Sequence, residues 1–486
     1  MRILVLLPKG RHWPWHDRLT AQLAEGHEVT VRHVASPAYP LLLRLRLGLE
    51  ARLFSGVVAP TRTDDGKAAS EPEMTPARDL VLDLSETDQR AEGALVLRPL
   101  YDGSPDSLAL AARLLERECP LLDVAIAGSG RIVASSYAAV EDKQVLGRGF
   151  AQALKRVEVL LIRACAQGGE PLSPLPSRPD RPRPSFRRAP LLASALRLAA
   201  SKALGRLRKR SARPHHWNVA IRWRKGVPEI SGFDLKDYTP LEPDRSTFYA
   251  DPFVIEEEGR HFLFAEAYPY ATEKGVIVCA AVGRDGVAEP FRTVLERPYH
   301  LSYPYLMRDE KGIFMIPETS GCAEGGLEIY RPRAFPGDWA IERRLLEGLA
   351  LVDASLFQHD GRHWMFAGLV TKGGSSWDEL FAWHAPTLAG PWSPHRLNPI
   401  KSDCRGARPA GRPIRVDGRL LRPAQRCERS YGESLVWFEV TELTPDAFAE
   451  KRIAEWSSSD PSISGIHSAD LMTPLEAIDF RSALDG

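Results

Sequence analysis

The sequence of 486 residues has few cysteines, no long apolar run and almost no net charge. Its six cysteines form no C-x-x-C pair and no His/Cys zinc spacing, which favours scattered reduced thiols in a cytosolic protein and predicts no metal site. Lys and Arg number 64 against 63 Asp and Glu, so no overall field favours a nucleic-acid partner. Since no run approaches the roughly 18 apolar residues that span a bilayer, we expect a protein that is soluble or bound only at a membrane surface.

The first 168 residues predict an α/β domain with a Rossmann-like, parallel sheet. Short apolar strands are predicted at residues 3–7, 27–34, 80–84, 94–97 and 124–127, with helical patterns between them and a closing helix at 139–166. The opening strand is too short for the apolar region of a signal peptide. Ligands often bind at the carboxyl ends of such strands, but the domain has no G-x-G-x-x-G and no P-loop, and Gly128-Ser-Gly130 is a weak signal.

Residues 169–214 predict a basic linker that leads into a helix. Residues 171–190 are rich in Pro and Arg, as in a semi-extended chain, and residues 191–213 give an amphipathic helix. Residues 178–213 hold twelve basic side chains and one acid, Asp180. One interpretation is contact of residues 189–213 with an anionic membrane surface, where each cation adds about 1 kcal/mol. The other is a solvated linker helix that packs on one domain. A second basic apolar stretch, residues 41–47, favours the membrane.

Four stretches of the C-terminal half repeat almost in register. They begin at Asp251, Tyr303, Asp353 and Arg408, at intervals of 52, 50 and 55 residues. Each predicts a strand, a charged turn with Gly and a second strand, and the interval is typical of β-propeller blades. A fifth inner strand fits residues 465–470 with 475–480 as its neighbour, and residues 217–223 can complete that sheet. We therefore predict a multidomain protein whose residues 215–486 form an all-β five-bladed propeller, closed by its first and last segments.

The inner strands of a propeller line its channel, so equivalent positions of the repeats should converge. On the inner strands these are Asp251, Tyr303, Asp353, Arg408 and His467, and the ends of the second strands add Glu266, Glu318 and Gln425. Charges grouped in this way cost desolvation free energy unless they are paired or used. A ligand site is one interpretation, and turn caps with rings of ion pairs are the other.

Facing carboxylates suit glycosidic bond chemistry. One carboxyl stays protonated as the acid and the other activates an acceptor or stabilises positive charge, and crowding pushes their pKa values apart. Sugar sites also need flat apolar surfaces beside polar groups. The candidates for stacking are Tyr268, Tyr270, Tyr303, Tyr305, Trp364 and Trp377.

Several of these motifs resemble known propeller families. Ala250-Asp-Pro-Phe-Val and Leu388-Ala-Gly-Pro-Trp392 are similar to segments of the furanosidase-type propellers of glycoside hydrolase family 43. A narrower resemblance is to the N-terminal domain of the plant glucosamine inositolphosphorylceramide transferases, found in bacteria behind a formyltransferase-like domain. The motifs that carry it are Tyr303-Pro-Tyr, Ile316-Pro-Glu-Thr-Ser320, Phe335-Pro-Gly-Asp-Trp339, Asp353-Ala-Ser-Leu-Phe357, Arg422-Pro-Ala-Gln425 and Tyr431-Gly-Glu433. This resemblance covers roughly residues 215–486 and extends by domain order to residues 1–168.

The resemblance implies a carbohydrate-active role with named residues. Asp251 matches the general base of the hydrolase family, and Asp353 matches the second aspartate, which orients groups and tunes pKa values. The acid falls on Glu433 if it follows the second aspartate, as in the hydrolases, or on Glu318 before it. The formyltransferase resemblance implies the fold alone, because this sequence lacks the His-x-Ser-Leu-Leu-Pro-like stretch that formyl transfer needs.

Three functions stay open at this point. The first is an enzyme that transfers a glycosyl unit in cell-envelope or glycolipid glycan synthesis, at the cytoplasmic face of the membrane. The second is an inverting glycoside hydrolase of furanosidase type. The third is a binding propeller that holds a glycan without catalysis. No cofactor is predicted, and a nucleotide sugar would be a donor substrate.

Overall fold

The computed structural model describes residues 1–54, 57, 59–61, 79–87, 94–170, 175–176, 178, 181–208, 215–241, 245–370 and 374–483. The chain forms two compact units, residues 1–211 with 372–375 and residues 212–371 with 376–486. Residues 169–211 are grouped with the first unit, whereas the sequence analysis separates 169–214 as a linker. Among the described helices, none is long and apolar enough to cross a membrane.

The first unit is an α/β structure with a mixed sheet. Its strands are β1 Arg2–Pro8, β2 Glu28–Val34, β3 Leu80–Asp83, β4 Leu95–Tyr101, β5 Leu121–Ile126 and β6 Ile132–Tyr137. Its helices are α1 Pro14–Ala24, α2 Leu41–Leu53, α3 Leu108–Leu115, α4 Leu146–Ala166 and α5 Arg188–Arg208. The sheet order is β2-β1-β3-β4-β5-β6, so all five predicted strands are present.

The prediction of a parallel sheet holds only for β1 to β4, because β5 and β6 run antiparallel to their neighbours. The glycine pair in Gly128-Ser-Gly130 accounts for the reversal of the chain between β5 and β6. Both glycines have left-handed φ angles, 88° and 69°, and Gly130 N–H donates to the Ile126 carbonyl at 2.9 Å. This segment is therefore the turn of a β5–β6 hairpin, which the sequence analysis had considered only as a weak ligand signal.

Helix α4 supplies the main helical face of this unit's core. Phe150, Leu154, Val157 and Leu161 recur at helical spacing and are all buried. Leu191 of α5 joins the same hydrophobic cluster with 2% exposure. Helix α5 is therefore anchored on the α/β unit by its first turn, which agrees with the interpretation of a helix packed on one domain. Residues 209–213 of the predicted basic helix lie outside the described residues.

The described residues of the second unit are all-β and form five sheets. Blade V is built from β26 Ile463–Gly465, β27 Ala469–Asp470, β28 Leu475–Ala483, β7 His215–Trp223 and β8 Thr239–Pro240, with a 3₁₀ turn at Leu235–Asp237. Blade I has β9 Thr247–Glu257, β10 Arg260–Pro269, β11 Val276–Val282 and β12 Arg292–Leu295. Blade II has β13 Ser302–Asp309, β14 Gly312–Glu318, β15 Leu327–Ala334 and β16 Gly337–Leu345. Blade III has β17 Leu351–His359, β18 Arg362–Leu369, β19 Glu379–Ala385, β20 Ser393–Pro394 and β21 Lys401–Ser402. Blade IV has β22 Ile414–Val416, β23 Arg419–Arg426, β24 Ser434–Leu443 and β25 Phe448–Trp456.

The repeated turn of the sequence is a two-residue hairpin loop. In blades I, III and IV the loops are Glu258-Gly259, Asp360-Gly361 and Asp417-Gly418, and both residues of each loop have left-handed φ angles. This conformation matches the twist of the flanking strands, and Gly adopts it without steric cost. The charged Gly-containing turn therefore fixes the register between the first two strands of these blades.

Blade V joins the two ends of the propeller sequence. β28 pairs antiparallel with β7 from Leu475 opposite Trp223 to Ala483 opposite His215. The sheet order β26-β28-β7-β8 places the early strand third in the last blade. The prediction of a five-bladed propeller closed by its first and last segments is confirmed.

Candidate functional site

Three inner strands carry a strained residue at the same repeat position. Asp251, Tyr303 and Asp353 have φ angles of 51°, 45° and 51°, which are left-handed and uncommon for residues with a Cβ. In each of the three blades the pairing register shifts beside this residue, so the residue lies in a β-bulge. A left-handed non-Gly residue costs about 1–3 kcal/mol and persists only where its surroundings hold it.

Asp353 is the centre of a buried polar group. Its Oδ2 accepts a hydrogen bond from Arg408 Nε at 2.6 Å and another from Gln425 Nε2 at 3.2 Å. Arg408 also donates through Nη1 to Ser376 Oγ at 2.9 Å, and its Nη2 lies 3.9 Å from Glu318 Oε2. Two of the predicted site residues, Arg408 and Gln425, therefore converge on the Asp353 carboxylate, as the repeat pattern predicts.

Glu318 joins the same group from blade II. Its Oε2 accepts the backbone N–H of Asp353 at 3.2 Å, which fixes the bulge of the next blade. Burial, and then the negative charge of Asp353, raise the pKa of Glu318 to about 8, although Arg408 acts in the opposite direction. A carboxyl with this pKa keeps its proton at neutral pH and can donate it.

A second group surrounds Asp251. His467 Nε2 lies 3.3 Å from Asp251 Oδ1, and His467 Nδ1 lies 2.8 Å from Asp479 Oδ2. Asp479 also accepts the backbone N–H groups of Asp251 at 3.0 Å, His467 at 3.0 Å and Ser468 at 2.9 Å. Asp479 therefore holds the Asp251 bulge from the neighbouring blade, as Glu318 holds the Asp353 bulge.

The pKa values of His467 and Asp251 in this second group are both raised. Burial would lower the pKa of His467, but Asp479 and Asp251 raise it to about 9. Burial raises the pKa of Asp251 well above its usual value; His467 opposes this, and the Asp353 carboxylate adds to it. The group therefore holds at least one proton at neutral pH, placed between His467 and Asp251.

The same three side chains have donor atoms that a cation could use. One ligand atom from each of Asp251, His467 and Asp479 lies within 4.8 Å of the other two. Asp251 Oδ1 and His467 Nδ1 are buried and have no hydrogen-bond partner of good geometry among the described residues. The expectation that the protein has no metal stays a prediction.

Glu266 at the end of β10 has a histidine partner that the sequence analysis did not name. His300 Nδ1 accepts the Gly275 N–H at 2.9 Å, so its Nε2 carries the proton and faces Glu266 Oε1 at 3.2 Å. Burial would lower the pKa of His300, but the bond to Glu266 raises it. Gly275 makes this contact possible, because a Cβ there would collide with the Leu301 carbonyl and lie 2.9 Å from Glu266 Oε1.

Aromatic rings lie beside both groups. The Tyr431 ring centroid is 5.1 Å from the Arg408 guanidinium carbon and 5.2 Å from the His467 ring. The ring centroid of the predicted Trp377 lies 5.4 Å from that of Tyr431, and the Trp217 ring of β7 contacts the His467 ring in a tilted arrangement, with 4.0 Å between centroids. The structure thus places Trp377 next to the polar groups, and it adds Tyr431 and Trp217 to the aromatic surface.

Three predicted stacking residues lie in the core instead. Tyr303 and Tyr305 have no exposed surface, and Trp364 is 1% exposed. The Tyr303 hydroxyl accepts the Gly411 N–H at 2.7 Å and bonds Ser355 Oγ at 2.7 Å, while the Tyr305 hydroxyl donates to the Leu356 carbonyl. Because their rings and hydroxyls are fully used inside the propeller, the structure does not support a substrate-binding role for Tyr303 and Tyr305.

The structure also separates the two candidate acids. Glu433 Oε1 pairs with Arg426 Nε at 3.0 Å, and its Oε2 accepts the Arg429 N–H at 3.2 Å. Within the described part of the chain, Glu433 forms no hydrogen bond or ion pair with the groups of Asp251 and Asp353. Glu318 contacts the Asp353 group directly, so the geometry favours Glu318 as the acid.

Asp479 is the main residue that the sequence analysis missed, although the repeat contains its signal. Glu266 and Glu318 pair with the residue just before the left-handed position of their blades, Ala250 and Ser302. Asp479 lies on the second strand of blade V and accepts the Asp251 N–H of the next blade, as Glu318 on the second strand of blade II accepts the Asp353 N–H. Extending the alignment of second strands to the fifth blade would therefore have identified it.

The comparison with known families agrees with the predicted propeller resemblance. Residues 240–463 match the family model described as glucosamine inositolphosphorylceramide transferase 1, N-terminal. The chain is 32% identical over 283 residues to glucosamine inositolphosphorylceramide transferase 1 of Oryza sativa subsp. japonica, covering 54% of this chain and 37% of that protein. It is 31% identical over 212 residues to the Arabidopsis thaliana protein of the same name, covering 43% of this chain and 27% of that protein. The matched part of the chain thus spans between about a quarter and little more than a third of the length of these curated relatives.

Solved structures give weaker similarities. A family 117 glycoside hydrolase from Zobellia galactanivorans has a TM-score of 0.36 at 10% identity, covering 56% of this chain and 92% of that one. The exo-β-1,3-galactanase of Phanerochaete chrysosporium has a TM-score of 0.34 at 14% identity, covering 46% and 55%.

Proposed function

We propose that the propeller is a carbohydrate-active unit that transfers a glycosyl group to an acceptor in glycolipid or cell-envelope glycan synthesis. The observation that supports this most directly is the protonated Glu318, with its pKa of about 8, beside the salt-bridged Asp353 and in the same cluster as Asp251. Carboxyls with separated protonation states are what acid–base chemistry at a glycosidic carbon requires.

Each carboxyl has a distinct role in this proposal. With the proton of its group on His467, Asp251 is a carboxylate and accepts the proton of the acceptor hydroxyl, while the hydroxyl oxygen bonds to the anomeric carbon. Glu318 gives its proton to the leaving oxygen as the old glycosidic bond breaks. Asp353, fixed by Arg408 and Gln425, orients groups and stabilises positive charge. If the donor is a nucleotide sugar, its phosphate leaves without a proton, and Glu318 then matters less.

The relatives suggest which substrates to test first. Their printed name combines glucosamine with inositolphosphorylceramide, so we propose an amino sugar or related hexose as the group transferred and a phosphoinositol-type glycolipid as the acceptor. In this proposal the reaction takes place at the cytoplasmic face of a membrane. The formyltransferase-like fold of the first unit, without formyl transfer, stays part of the proposal.

A specific observation favours a second candidate, a propeller that binds a glycan without catalysis. Asp353 is already held by Arg408 and Gln425, and the exposed fractions of Asp353, Asp251 and Glu318 are 2%, 5% and 9%. Such ion pairs are also what a purely structural ring would contain. The aromatic surface of Trp377 and Tyr431 would then be the part that contacts the sugar.

The test compares variants of the two central carboxyls. Asp251→Asn and Glu318→Gln are assayed with nucleotide sugars and aryl glycosides as donors and a phosphoinositol glycolipid as acceptor, with products identified by mass spectrometry. With aryl glycosides we expect each variant to lose at least 100-fold in turnover, as for loss of a general acid or base. With nucleotide sugars we expect this loss for Asp251→Asn and a smaller one for Glu318→Gln. Asp446→Asn and Glu310→Gln are the matched controls, since both side chains are exposed.

The outcomes separate the candidates. Products that form with water as acceptor assign the hydrolase function, and full turnover in both variants rejects catalysis at this site. If no donor reacts but titration calorimetry detects a sugar whose binding is lost in Trp377→Ala, the protein is a glycan-binding propeller.

A further inference from the structure

Helix α2 of the first unit exposes an apolar face. Leu41, Leu45, Leu49 and Leu53 recur every four residues and are 60%, 60%, 54% and 58% exposed, and Leu42 is 37% exposed. Soluble proteins rarely leave so many adjacent leucines in water unless the surface has a partner. The face therefore needs an explanation beyond the packing of this unit.

The inward face of α2 shows that this orientation is specified. Leu43 and Leu47 are fully buried. The helix also buries an ion pair, in which Arg46 Nε lies 2.6 Å from Glu50 Oε1. Glu50 Oε2 also accepts the Gly147 N–H at 2.6 Å, at the N-terminal end of α4, where a carboxylate is favoured. Rotating α2 to hide its leucines would break these contacts, so the leucine face stays outside.

The charge around this face has one sign. The remaining exposed side chains of α2 are Arg44 and Arg52, and its acid, Glu50, is buried and paired. Helix α5 packs against α2 and adds the exposed Leu192 and Leu196, at 52% and 72%. No acidic residue occurs anywhere from residue 181 to residue 208.

We propose that α2 and the first half of α5 form a surface that attaches to an anionic lipid bilayer. The leucines would enter the boundary between headgroups and acyl chains, and the arginines would contact lipid phosphates. This combination of apolar insertion and positive charge is what stable interfacial attachment needs. The proposal is independent of the chemistry assigned to the propeller, and it makes α2 a principal contact in addition to the predicted residues 189–213.

Vesicle sedimentation of the full chain tests this surface. The probes are phosphatidylcholine vesicles with and without phosphatidylglycerol. Leu45→Gln with Leu49→Gln removes apolar contact, Arg44→Gln with Arg52→Gln removes charge, and α5 is unchanged in both. The control pair is Val227→Gln with Val287→Gln, which changes two exposed apolar side chains of the propeller.

We expect wild type and control to sediment with phosphatidylglycerol vesicles and less with phosphatidylcholine alone. Removing two cations should weaken binding to anionic vesicles by about 30-fold, and the leucine variant should lose the binding that remains at high salt. Unchanged thermal melting shows that both variants are folded. The proposal is overturned if wild type does not sediment, if the α2 variants bind like the control, or if light scattering shows that the leucine variant only dissociates a dimer.

Discussion

Glu318→Gln should stabilise the propeller at alkaline pH while removing its chemistry. The folded protein holds Glu318 with a pKa of about 8, whereas an unfolded chain has it near 4.5. Between these values the unfolded state releases the proton and the folded state keeps it, so the free energy of unfolding falls as pH rises. At about 1.4 kcal/mol per pH unit the upper limit of this loss is about 5 kcal/mol.

Glutamine keeps the shape and the hydrogen-bond acceptor but has no proton to lose. Its amide oxygen can still accept the Asp353 N–H, as Glu318 Oε2 does at 3.2 Å. We therefore expect equal stability of the two proteins near pH 4.5 and a gain of roughly 2–5 kcal/mol for the variant at pH 8. The gain would identify a side chain that is retained for function at a cost in stability.

The measurement is thermal and urea unfolding between pH 4.5 and 8.5, followed by tryptophan fluorescence. All tryptophans except Trp13 and Trp15 lie in the propeller, so this signal reports mainly on the second unit. Glu310→Gln, an exposed carboxyl of blade II, controls for the change of net charge. If Glu318→Gln is destabilised equally at pH 4.5 and pH 8, the carboxyl acts as an ordinary structural acceptor and the assignment of a proton donor is wrong.

Three other predictions follow from single contacts. Asp479→Asn should destabilise the propeller by about 3 kcal/mol, because a buried charge pair loses one partner. The same variant should lower the pKa of His467 in an NMR titration, and an unchanged His467 titration would contradict the contact between the two side chains. Burial raises the pKa of Cys427 to about 12, so iodoacetamide at pH 8 should label the less buried Cys322 first. Mass spectrometry measures the order of labelling, and early labelling of Cys427 would contradict its burial. Tyr303→Phe should lower the free energy of unfolding by roughly 1–3 kcal/mol in urea melts, since the Gly411 N–H loses its acceptor; a melt like that of wild type would show that water replaces it.

The propeller could be predicted from the sequence because its repeat is local. The turn Asp360-Gly361 and its equivalents require left-handed backbone at fixed places, and the strands on either side alternate in a recognisable pattern. Pairing of β7 with the last strand could also be inferred, because an open ring would leave two sheet edges exposed. The mixed sheet of the first unit could not be predicted, because the spacing of the strands does not give the direction of β5 beside β4.

The convergence of the repeat positions could be predicted from the sequence, but the contacts of the individual side chains could not. Equivalent positions do converge, yet Tyr303 has the same backbone conformation as Asp353 and still lies in the core. Its long ring reaches Gly411, and a Cβ on that glycine would collide with the backbone of Ala469. Such close approaches between distant blades depend on three-dimensional packing, which no spacing in the sequence encodes.

The electrostatic partners were equally hidden. Glu433 follows the order of the hydrolase family, but in the structure it turns to Arg426, only seven residues away. The exposed leucines of α2 were noticed as a basic apolar stretch. Which side of the helix faces inward became clear only from the Arg46–Glu50 pair and its bond to Gly147.

The pairing of β7 with β28 has a consequence for synthesis of the protein. β7 leaves the ribosome about 250 residues before the strand beside which it will lie. Until β28 is made, blades I to IV can form while blade V lacks one of its central strands. The pairing of β7 with β28 forms late, because the two strands are far apart along the chain. A single cut between blades IV and V would open the ring although the remaining hairpins stay intact. Because the ring closes only when β28 pairs with β7, we expect the nascent chain to become protease-resistant only after the last strand has been made.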